Sequence, residues 1–170
     1  MHESSGQALR GRQISVAKSR PRLGLVALCA YANDFLEAAT NANLLAKKFR
    51  PAQLYLACHA LELALRAYIQ LQGRVVGVRE TSLPSRGDLV SLLAEADSRG
   101  LTGLVRPSPT QREQIQKAAF YYSALVFEYP ALAEVIRGYP QGPDADGIVA
   151  VATALVSAIR EKISASTECI

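Results

Sequence analysis

The sequence predicts an all-α protein, folded as an antiparallel bundle of four to five helices. Three observations carry this. Apolar residues recur at helical spacing through five segments. Proline, glycine, serine and aspartate stand at the ends of those segments, where helix caps and stops belong. No stretch shows the apolar–polar alternation of a half-buried strand. The chain has 170 residues, a length suited to a single domain. Hydrophobic residues make up 49% and charged residues 20%, enough apolar side chain for a core and too little charge for a disordered chain. Short connections between amphipathic helices favour antiparallel neighbours.

Residues 1–22 stand apart as a basic arm without apolar periodicity, leaving 23–170 as the helical domain. The arm holds Arg10, Arg12, Lys18, Arg20 and Arg22 against Glu3 alone, so the whole formal charge of +4 lies there and the body is neutral. The arm is expected to be disordered; clustered cations of this kind neutralise phosphates, which makes these five side chains candidate nucleic-acid contacts. It also reads as a plain extension.

The first helix is expected from about Leu25 to Phe49, with Leu28, Ala32, Phe35, Leu36, Ala39, Ala42, Ala46 and Phe49 inward. Pro51 opens the second, which runs to Leu71 and stops at Gly73. Apolar residues surround almost its whole circumference, the mark of a central helix. Residues 73–87 are expected as loop. A third helix starts at the cap Asp88 and stops at Gly100. Ser108, Pro109 and Gln111 form a capping box for the fourth, which is expected to run until Pro130 with Ile115, Ala118, Ala119, Tyr122, Leu125 and Val126 inward. Residues 131–137 add a short helical turn. The fifth helix spans about 146–164, with Ile148, Ala152, Leu155, Ile159 and Ile163 on one face.

On the second helix a narrow polar stripe interrupts the apolar surface: Tyr55, His59, Glu62, Arg66 and Gln70. Glu62 and Arg66 form an i,i+4 pair in the favourable order. An unpaired charge on so apolar a helix is expensive, so the stripe must face solvent, a polar cleft or a partner subunit; the plain reading is an intrahelical ion pair beside a satisfied histidine, and the alternative a polar surface at a dimer seam or ligand cleft. His59 has the chemistry of a general acid–base, but no nucleophile accompanies it. The sequence assigns no catalytic residue, no cofactor and no metal. The two histidines, His2 and His59, and the three cysteines, Cys29, Cys58 and Cys169, show no ligand spacing. Asp144-x-Asp146-Gly147 opens like a calcium loop, but Leu155 stands where the twelfth-position acid belongs. Arg86-Gly87-Asp88 reads as a turn and cap. The aromatic cluster Phe120, Tyr121, Tyr122, Phe127, Tyr129 and Tyr139 suits packing, with base stacking as the functional alternative. No apolar run is long enough for a membrane helix. Scattered cysteines and the absence of a signal core point to the cytoplasm.

The run from Tyr55 to Tyr68, YLACHALELALRAY, resembles the second helix of HEPN (higher eukaryote and prokaryote nucleotide-binding) domains of bacterial type. Arg86-Gly87-Asp88-Leu89 at a helix start and Phe127-Glu128-Tyr129-Pro130 after the next helix follow in the order that resemblance requires. Gly87 stands where these domains carry histidine. The Arg-x4–6-His motif of the ribonuclease members is missing, since positions 52–54 before His59 are Ala, Gln and Leu. The resemblance therefore implies a non-nucleolytic binding module, a homodimer, with a nucleic acid, a nucleotide or a protein as partner, in a toxin–antitoxin or defence setting. Two other classes stand beside it: a degenerate nuclease or nucleotide-handling enzyme using Glu62, Arg66 and His59, and a purely structural interaction domain.

Overall fold

A computed structural model of the chain describes residues 24–42, 50–76, 83–129 and 142–167. These form five α-helices, α1 (Leu25–Asn41), α2 (Pro51–Val76), α3 (Leu89–Ser98), α4 (Pro109–Ser123) and α5 (Ala145–Thr167), with a 3-10 turn at Leu101–Gly103 and no strand among the described residues. The all-α bundle read from the sequence is the fold. The basic residues Arg10, Arg12, Lys18, Arg20 and Arg22, with Cys169, Tyr139 and the segment 131–137, lie outside the described residues.

Helix α2 is the axis on which α1, α3, α4 and α5 all pack. Its alanines 57, 60, 64 and 67 let neighbouring helices approach closely, while Leu54, Leu61, Leu65 and Ile69 fill the spaces between them, all buried. Phe35 of α1 meets His59 of α2. Arg160, late in α5, donates to Asn33 of α1 at 3.0 Å. Arg50, just before α2, pairs with Asp146 in the first turn of α5 at 2.7 Å. Helices α2 and α5 therefore start at the same end of the bundle and α1 runs against both. The remaining core is the inward face of each helix: Leu28, Ala32, Leu36 and Ala39 of α1; Leu89, Leu92, Leu93 and Ala96 of α3; Ile148, Ala152, Leu155, Ile159 and Ile163 of α5. Cys29 and Cys58 are free thiols within it, each pushed up by burial. No described helix is long and apolar enough to cross a membrane.

Several boundaries follow the sequence signals. Asp88 caps α3 by accepting from the Ser91 N–H at 3.0 Å. Ser108 and Gln111 close the reciprocal capping box. Asp144 accepts from the Gly147 N–H at 2.9 Å, so the acidic run there is a helix N-terminus. Gly100, at φ 92°, ends α3 in the left-handed region.

Other boundaries differ. Helix α2 does not stop at Gly73 but continues to Val76, so Val75 and Val76 are helical rather than extended. Glycine permits a left-handed stop without imposing one, and in a helix interior it costs only about 1 kcal/mol. Helix α4 ends at Ser123, well before Pro130. The stop is a Schellman motif: the Val126 N–H bonds the Tyr121 carbonyl and the Leu125 N–H bonds the Tyr122 carbonyl, at 3.0 and 3.1 Å. Leu125 takes the left-handed position at φ 59°, where glycine is usual. Leu125 and Val126, expected inward, are therefore thrown off the core face, and Leu125 is 50% exposed.

Helix α1 also ends at Asn41, with Ala42 as its cap; the expected inward positions Ala46 and Phe49 lie outside the described residues.

A β-carbon in the left-handed region costs roughly 1–2 kcal/mol, and Leu125 loses little packing when truncated. Leu125→Gly should therefore raise the unfolding free energy by about 1 kcal/mol. Urea titration of the two proteins measures this; an unchanged or lower midpoint would show that the Leu125 side chain stabilises the turn instead.

Candidate functional site

The polar stripe of α2 faces inward, beneath the end of α4 and the segment before α3. Glu62 is the buried member, 2% exposed. Its Oε1 accepts from Arg66 Nε at 3.0 Å and lies 2.9 Å from Arg66 Nη2. Its Oε2 accepts from the Tyr122 hydroxyl of α4 at 2.9 Å. Arg66 Nη2 also donates to the carbonyls of Pro84 and Ser85, at 3.0 and 3.1 Å. The carboxylate thus gathers three elements: its own helix, the end of α4, and the turn before α3. A buried ion pair is tolerable on these terms, because every charged lobe has a partner.

His59 extends the network. Its Nδ1 stands 2.8 Å from the Tyr122 oxygen. Tyr122 has one proton and gives it to Glu62, so His59 Nδ1–H is the donor and the ring is held in one tautomer. Phe35 meets the imidazole edge-on with ring centres 4.5 Å apart, and Tyr55 stacks on it at 5.7 Å. Burial holds His59 below the usual imidazole range, opposed by Glu62 and Glu128 and reinforced by Arg86 and Arg66. Burial, then the Glu62 charge, pushes the Tyr122 hydroxyl up, so it stays protonated as a donor.

Tyr55, His59, Glu62 and Arg66 are therefore brought together as the stripe predicted. Gln70 is half-buried further along α2 and enters none of these bonds. Glu62 is shut away from solvent, while Tyr55, His59, Arg66 and Gln70 are partly exposed.

A cleft of about 250 Å³ does open beside it, lined by Arg86, Gly87, Tyr122, Ser123, Leu125, Glu128 and Tyr129. Two left-handed residues shape it. Gly87, at φ 86°, lets the turn before α3 lie against the end of α4; a Cβ built there would stand 3.4 Å from the Ser123 Cα. Leu125 turns the chain away after α4. Tyr129 is 76% exposed, and Arg86 and Glu128 are exposed on the cleft's rim. His59 does not line it. Its Nδ1 is committed to Tyr122. Among the described residues no group of three His, Cys, Asp or Glu side chains could hold a metal ion.

Sequence reasoning placed Tyr122 in the core and overlooked that it joins Glu62 and His59; it also gave Arg86 and Glu128 no ligand role. Spacing within one helix reveals i,i+4 partners but not a hydroxyl sixty positions away. Comparison with protein-family models, with curated proteins and with solved structures found no match to the chain.

Removing one partner of a buried pair costs about 3–5 kcal/mol, against about 0.3–0.5 for an exposed i,i+4 pair. Glu62→Ala should fall in the larger range, since it strands both Arg66 and the Tyr122 hydroxyl, and Glu62→Gln should lose less. Denaturant titration decides: a loss under about 1 kcal/mol for Glu62→Ala would mean that water reaches the pair.

A histidine whose folded value lies below its unfolded value binds its proton more readily when unfolded. Stability is then full above the unfolded value, 6.5, and falls as pH drops through 6.5 toward the folded value. His59→Asn retains an N–H for Tyr122 but cannot be protonated. Its unfolding midpoint should decline less than the parent's between pH 7.5 and pH 5, and parallel declines would remove His59 from the acid response.

Proposed function

We propose that the chain is a non-catalytic, HEPN-like helical binding module of the cytoplasm whose ligand site is the cleft between the Arg86–Gly87 turn and the end of α4. One observation carries this reading. The three stretches behind the HEPN resemblance lie far apart in sequence, yet all converge here. Arg86 and Gly87 form one wall, Glu128 and Tyr129 the other, and Glu62 and Arg66 of α2 anchor both through Tyr122 and the carbonyls of Pro84 and Ser85. A rigid floor with a cation, an anion and an exposed ring above it is the architecture of a recognition site.

The lack of an Arg-x4–6-His motif and the commitment of His59 to Tyr122 both speak against nuclease chemistry. Self-association belongs to the reading as well. Sedimentation measures it directly.

The test has two arms. A screen of mononucleotides, short oligonucleotides and small metabolites against ¹⁵N-labelled protein should shift amides of residues 86–87 and 122–129, and Tyr129→Ala should abolish the shifts. Ligands that map to another surface would displace the site. The purified protein should leave RNA intact, and cleavage abolished by His59→Ala would replace the binding reading with the enzymatic one.

A further inference from the structure

The cleft has a charge pattern that narrows its ligand. Arg86 and Glu128 are its only fully charged lining residues, one of each sign. Both are exposed, and among the described residues neither side chain enters an ion pair or a side-chain hydrogen bond. Two exposed apolar side chains share the lining with them: Tyr129, and Leu125, whose backbone is left-handed. The space, about 250 Å³, falls below the ~300–1,000 Å³ of pockets for drug-sized ligands.

We propose that this cleft binds a free α-amino acid with an apolar or aromatic side chain, its carboxylate on Arg86 and its ammonium on Glu128. The proposal rests on the cleft being the ligand site. A free amino acid carries both charges on one carbon, so one small molecule meets both rim residues without leaving a net charge. The guanidinium fork matches a carboxylate bidentately. The ammonium gains further from the face of Tyr129. The side chain covers Leu125 and the tyrosine rings, the apolar area the protein leaves open. A nucleotide fits these walls less well. Its phosphate, at about −1.5 to −2, would sit beside the Glu128 carboxylate, against a single arginine. A residue within a peptide lacks one or both charges.

Calorimetric titration of the full chain tests this with L-phenylalanine and L-leucine, with N-acetyl-L-phenylalanine and L-phenylalaninamide as singly charged controls, and with AMP and GMP. Both free amino acids should bind, and capping either head should weaken binding about 10- to 100-fold, the worth of a charge-assisted hydrogen bond. Arg86→Gln should abolish the preference for L-phenylalanine over its amide, and Glu128→Gln the preference over its N-acetyl form. Both sites are exposed, and unchanged thermal melts would show that the variants fold. Equal affinity for capped and free forms would overturn the proposal, as would absence of binding by the free amino acids. If AMP or GMP binds instead, and Tyr129→Ala removes that binding, the amino-acid assignment fails while the cleft remains the ligand site. If none of these probes binds and the amide screen maps every ligand elsewhere, both fail.

Discussion

The fold is organised around a carboxylate that has no access to water. Glu62 lies in the middle of the central helix, and its charge must be met from inside the protein. Arg66 meets it from the same helix and Tyr122 from another. Because Arg66 also holds the carbonyls of Pro84 and Ser85, satisfying one buried charge fixes the position of the turn before α3. Hydrophobic burial alone is non-directional and would allow α4 and this turn to slide over α2. The hydrogen bonds to Glu62 choose one arrangement, and the walls of the cleft follow from it.

This accounts for the division of labour among the polar residues. Glu62 and Arg66 of α2 are bonded to each other and joined to His59 through Tyr122; those that face outward, Arg86, Glu128 and Tyr129, come from the irregular segments around them. Recognition side chains on turns supported by a rigid helix are a common arrangement, because turns vary freely while the support does not. The neutral, tautomer-locked His59 belongs with the support. Its ring fills the space between Phe35 and Tyr55 and passes its one donor to Tyr122.

The helices were legible in the sequence because their signals are local. The inward residues of α3 and α5 follow directly from a 3.6-residue period, and Asp88 and Ser108 announce helix starts by side-chain chemistry alone. Glu62 and Arg66 were legible as a pair for the same reason. The end of α4 was not. Its stop is set at Leu125, a residue type that gives no sign of a left-handed backbone, and the geometry arises from how the following turn packs. Nor was the cleft, whose walls are brought together by Tyr122 and by the close approach of Gly87 to Ser123. Aromatic content alone could not separate Tyr122, buried with its hydroxyl spoken for, from Tyr129, which stands almost free of the protein.

Gly87 carries one more consequence. In the resemblance to HEPN domains, its place belongs to a histidine, and its identity reads as something missing. The backbone there, at φ 86°, is one that glycine adopts freely and that a side chain takes only with strain. The turn it makes lies directly against Ser123, so the near wall of the cleft is bare main chain. A histidine placed at this position would strain the turn that forms the cleft. At this position the chain can hold an imidazole or an open space, and it holds the space.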